Sequence, residues 1–87
     1  MIFHTALGNT GFGRRRKLKA LIKENEITLG GNIRLKIYGL LTCGTGKRMK
    51  IKNRVFFISE EEAVREGYRP CGHCMKEGYR RWKINLE

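Results

Sequence analysis

Long apolar runs are missing from this chain of 87 residues. No segment approaches the ~18 consecutive apolar residues that a membrane-spanning helix needs. Nor does a charged, then apolar, then small-residue leader open it, so the protein is expected to be cytoplasmic and to have no membrane partner. Cysteine is scarce and odd in number, three in all. In a reducing compartment that argues against a disulfide scaffold and for metal binding or thiol chemistry. Repeats and low-complexity stretches are absent, and no small-molecule substrate is evident. Acidic residues are also in short supply, eight against nineteen Lys and Arg, which leaves a formal charge of +11. Self-repulsion on that scale is relieved by an anionic partner, and nucleic acid is the leading one.

The length bounds the fold. Dividing 87 residues would leave parts near or below the ~40 residues at which a core can seldom sustain itself, so 1–87 reads as a single domain. One core of this size supplies only a few kcal/mol, and a metal staple is a reasonable expectation.

Along the chain, residues 1–13 are rich in Gly and turn formers and read as a flexible or loosely packed N-terminus. RRRKLKALIKENE then places Leu18, Leu21 and Ile22 on one stripe, which predicts a short basic helix over about 14–25. EITL and IRLKIY flank Gly30-Gly31-Asn32, a triplet of the kind that joins hairpin strands. Ile33, Leu35 and Ile37 alternate there with Arg34, Lys36 and Tyr38, giving one apolar face and one basic and aromatic face. The polar stretch 44–54 carries five basic residues, and VFFI at 55–58 reads as a buried strand. Ser59 followed by Glu60, Glu61 and Glu62 forms a capping box, and Gly67 supplies a stop, so 60–66 is expected to be helical. The three glutamates suit the positive end of that helix's dipole. In the tail, Met75, Tyr79 and Trp82 fall at helical spacing and are expected to pack a last helix onto the core. The fold class expected is α+β: a small domain with a three-stranded antiparallel sheet and two to three short helices.

The chemistry centres on Cys71-Gly72-His73-Cys74. A Cys-x-x-Cys turn lets two thiolates reach one ion at ~2.3 Å, and tetrahedral closure needs two further ligands. Cys43, just after a strand and 28 positions before Cys71, is placed to supply the third. No fourth cysteine exists. The fourth ligand is either His4 or His73, the only histidines, or an exchangeable ligand that would leave the site open. A redox pair is the competing reading of the two close cysteines, but the thioredoxin-type βαβ context is missing.

The stretch RVFFISEEEAVREGYRPCGHC, residues 54–74, resembles the second half of the metal-binding domain of the Ada DNA-repair proteins, with a weaker likeness through IYGLLTC at 37–43. The resemblance implies an Ada-like module over residues 30–83. It implies zinc held by Cys43, Cys71 and Cys74, with Cys43 on the position that in the family accepts a methyl group from a methylphosphotriester in DNA. Two departures bear on function. The second family cysteine is here Lys47, and the arginine that contacts DNA backbone between the last two cysteines is here His73. Replacing a thiolate by a neutral ligand lowers the negative charge on the zinc–sulfur centre and makes the remaining sulfur a poorer nucleophile.

The expectation is therefore a zinc-stabilised DNA-binding module rather than an enzyme. Its phosphate contacts would come from Arg14, Arg15, Arg16, Lys47, Arg48, Lys50, Lys52, Arg54, Arg69 and His73. One alternative is single-turnover methyl transfer to Cys43. A second is a metal-free basic domain that binds RNA or protein, its cysteines merely buried.

Overall fold

The computed structural model describes residues 1–43 and 49–85. Its centre is a mixed five-stranded sheet: β1 (Ile2–Phe3), β2 (Leu29–Asn32), β3 (Ile37–Leu40), β4 (Arg54–Phe57) and β5 (Arg69–Pro70), in spatial order β1-β4-β2-β3-β5. All pairings are antiparallel except that of β3 with β5. The sheet therefore has two strands more than the sequence suggested. Both additions, β1 and β5, are two-residue edge strands with no room for an alternation to show.

Three α-helices accompany it: α1 (Gly11–Lys23), α2 (Glu60–Arg65) and α3 (Lys76–Asn85). At α2 the capping logic holds. Ser59 Oγ accepts from the amide of Glu62, and Glu62 in turn accepts from the amide of Ile58. Its other end closes with Tyr68 N–H donating to Ala63 and Gly67 N–H to Val64, Gly67 taking a φ of 87°. The same paired bonds end α1, with Asn25 at φ 59° in the glycine role. Helix α1 begins three residues earlier than expected, because Thr10 caps the amide of Gly13.

The β2–β3 hairpin turns where the sequence did not place it. Gly30, Gly31 and Asn32 lie within β2, and the chain reverses through residues 33–36. Asn32 Oδ1 accepts from the amides of Arg34 and Leu35, and Lys36 adopts the left-handed conformation at φ 57°. Ile33, Leu35 and Lys36 are thus turn residues. The N-terminus, expected to be loose, is tied down: β1 pairs with β4, the Met1 amine meets Glu62 at 2.9 Å, and His4 is buried.

Strand alternation divides the sheet into two faces. On one, Leu29, Tyr38, Val55 and Phe57 join Ala63 of α2 and Tyr68 in the core, with Phe57 and Tyr68 edge to face at 4.9 Å and Met75 packed alongside. The other face carries Phe56, Ile37 and the directly opposed pair Gly30 and Gly39. Helix α1 lies over this second face and buries no residue completely, so a cavity remains between them. Among the described residues no helix is long and apolar enough to cross a membrane.

Candidate metal centre

Three chain segments converge at the β3 side of the sheet. Cys43 follows β3 by one turn, its amide donating to Leu40 O at 3.1 Å. Cys71 follows β5, its amide donating to Tyr38 O at 2.8 Å, which extends the parallel β3–β5 ladder into the knuckle. Cys74 closes the turn just before α3. The three sulfur atoms lie within 4.8 Å of one another, Cys43 buried and the other two half-buried, and none is in a disulfide.

These positions suit a soft cation. Four sulfurs placed tetrahedrally at ~2.3 Å from zinc stand ~3.8 Å apart, so the observed trio needs only a small contraction to close on an ion. Thiolates select zinc and other soft metals. Two backbone amides are already aimed at sulfur: Leu40 N–H at Cys74 Sγ (3.3 Å) and His73 N–H at Cys71 Sγ (3.4 Å). Such donors orient metal-bound thiolates and disperse their charge. Burial pushes the Cys74 thiol up to about 11, opposed by the Leu40 amide and reinforced by the neighbouring Cys43 and Cys71. A cation reverses that balance, since a coordinating thiol loses its proton outright.

Close approach of the knuckle to β3 depends on Gly39. A Cβ there would lie 2.7 Å from Cys74 Sγ and 3.1 Å from Cys71 Cβ. The signal for Gly39 in the sequence is its place within a strand pattern, where a glycine marks a close approach of other atoms.

Neither histidine enters the sulfur group. His4 sits against Phe56 at the β1 and β4 side of the sheet, ring centroids 5.3 Å apart. It is buried with no partner for Nδ1 among the described residues, and burial, then Arg54 and Arg14, hold its pKa below the ordinary value. His73 is exposed.

The basic candidates divide. Arg15, Arg16, Lys50 and Lys52 are exposed. Arg14 turns inward, its Nη1 donating to Gly8 O. Arg54 is half-buried and donates to Met49 O. Arg69 stacks on Tyr79 and Trp82, 5.3 and 5.5 Å from their ring centroids, and so helps seat α3. Lys47 and Arg48 lie outside the described residues. The sequence pattern places Arg34 on a basic strand face. The hairpin turn instead brings it to a depression shared with Lys50 and Lys52.

Residues 24–77 match the family model described as the metal binding domain of Ada. No curated protein and no solved structure matches the chain significantly. The three cysteines, all inside the matched residues, are placed to hold a metal ion, and the family match spans well over half of the chain, so the chain belongs to the family of Ada metal-binding domains.

Proposed function

We propose that the chain is a zinc-stabilised module that binds DNA through the phosphate backbone. The observation that carries this reading is the depression ringed by Arg34, Lys50 and Lys52, with Asn32 and Asn53 as further polar neighbours and no carboxylate in its lining. None of these three cations is in an ion pair among the described residues. They sit on an overall charge of +11, and Lys50 and Lys52 follow Lys47 and Arg48 closely in the sequence. Cations placed in this way neutralise phosphates and release counterions, giving affinity with little sequence reading.

Duplex binding followed by fluorescence anisotropy over a range of salt tests it. Three phosphate contacts predict a slope of log affinity on log salt of roughly −2.7, and steeper if α1 takes part. A flat response would contradict the proposal.

A second reading has one observation in its favour: Cys43, like Cys71 and unlike Cys74, borders the cavity beneath α1. In that reading the Cys43 thiolate attacks a methyl group on a phosphotriester, forming the S–C bond as the C–O bond breaks and a phosphodiester anion leaves. Mass spectrometry after incubation with methylated DNA should then show one methyl on Cys43, and an unmodified Cys43 would dismiss it.

A further inference from the structure

The cavity under α1 measures about 210 Å3. Leu18 and Ile22 of α1 form its roof, Phe56 and the opposed glycines Gly30 and Gly39 its floor, and Cys43 and Cys71 one wall. The two glycines act differently on this sheet face: the place of a Gly39 side chain is taken by Cys74 Sγ and Cys71 Cβ, whereas Gly30 leaves its place open. A Cβ added at Gly30 would meet only Leu41 and the Val55 carbonyl, at 3.7 and 3.9 Å, so the hollow is real space. Apolar cavities of ~150 Å3 admit a molecule the size of benzene.

The sulfur set beside this space is incomplete. The whole chain contains three cysteines, and neither histidine joins them. The residues outside the described part contain no cysteine or histidine. A thiolate-bound soft metal favours a fourth soft donor. Water is poorly served here, since it needs two to four polar partners. Of the lining side chains, Asn32, Tyr38 and Arg54 carry nitrogen or oxygen atoms; Tyr38 belongs to the opposite face of the sheet, where its hydroxyl meets Glu60, and Arg54 already donates to Met49 O.

We propose that this chain supplies only three thiolates to its metal and leaves the fourth position to a small thiol with an apolar body, admitted into the cavity between α1 and the Gly30–Gly39 step. The inference rests on the metal centre described above and adds a ligand site to it. Arg54 at the cavity wall offsets the negative charge that a fourth thiolate brings.

The full chain loaded with cobalt(II) reports both parts separately. Cobalt bound at one ion per chain, with sulfur-to-metal charge-transfer absorption, establishes the centre. Titration with 1-butanethiol should then shift the visible spectrum saturably, at half-saturation roughly tenfold lower than with 2-mercaptoethanol, because the cavity buries about two further carbons. Gly30→Leu, and independently Leu18→Trp, should abolish this preference while cobalt stoichiometry stays at one, so a misfolded single variant does not decide the matter. Stoichiometric cobalt with a spectrum indifferent to both thiols, or a response equal for the two, overturns the proposal and leaves the metal centre standing. Failure to bind cobalt at all overturns both. A change with imidazole but not with thiols also rejects it.

Discussion

The position of a Cβ on residue 39 would lie 2.7 Å from the sulfur of Cys74, so the absence of a side chain at Gly39 is what lets the Cys71–Cys74 turn reach β3. The neighbouring Leu40 amide then points at that same sulfur. Gly39→Ala should displace Cys74 and lower metal affinity by about 10–100-fold, the usual cost of disturbing the atoms around a metal ligand. Competition against a chromogenic chelator measures this. The β2–β3 pairing should survive, since alanine is tolerated in a strand, and an unchanged affinity would show that the approach is not needed.

His4 governs a pH effect of a different kind. Its folded-state pKa is held below the ordinary 6.5, first by burial and then by Arg54 and Arg14. The unfolded chain therefore binds the proton more readily. Stability is full above the unfolded value and is lost as the pH falls from about 6.5 towards the folded one. Thermal melts at pH 7.5 and 5.5 should show a drop in Tm for the parent that is smaller in His4→Phe, which keeps an aromatic ring against Phe56. An equal drop in both would remove His4 from this role.

Charge in the basic depression can be tested one residue at a time. Lys50→Ala and Lys52→Ala should each weaken DNA binding for all sequences alike and reduce the salt slope by about 0.9. Arg34→Ala should do the same, a specific consequence of the turn at 33–36. Arg69→Ala should behave differently. Loss of its stacking on Tyr79 and Trp82 costs stability, about 0.5–1 kcal/mol per exposed contact, with little change in slope.

What the sequence made legible was the local chemistry. Ser59, Glu62 and Gly67 bound α2 through side-chain and backbone bonds within a few residues, and Cys71 and Cys74 announce a metal knuckle by spacing alone. The misread parts were set by distant atoms. Gly30-Gly31 looks like a turn, yet at Gly31 a Cβ would meet Phe57 Cε2 at 2.8 Å, and Gly39 yields to Cys74. Those glycines answer to packing, while the turn is made by Asn32 capping the amides of Arg34 and Leu35. Two-residue strands such as Ile2–Phe3 exist only because β4 offers them an edge. The grouping of Arg34 with Lys50 and Lys52 likewise follows from that turn and carries no signal along the chain.

The most direct test of the metal centre is the zinc content of the full chain purified without added metal. One zinc per chain is predicted, lost to the same degree in Cys43→Ser, Cys71→Ser and Cys74→Ser, with a melt that falls on adding chelator. A ligand present at a thousandfold over its Kd stabilises by about 4 kcal/mol, so the shift should be plain. A chain free of metal, with a melt that chelator leaves unchanged, would contradict it.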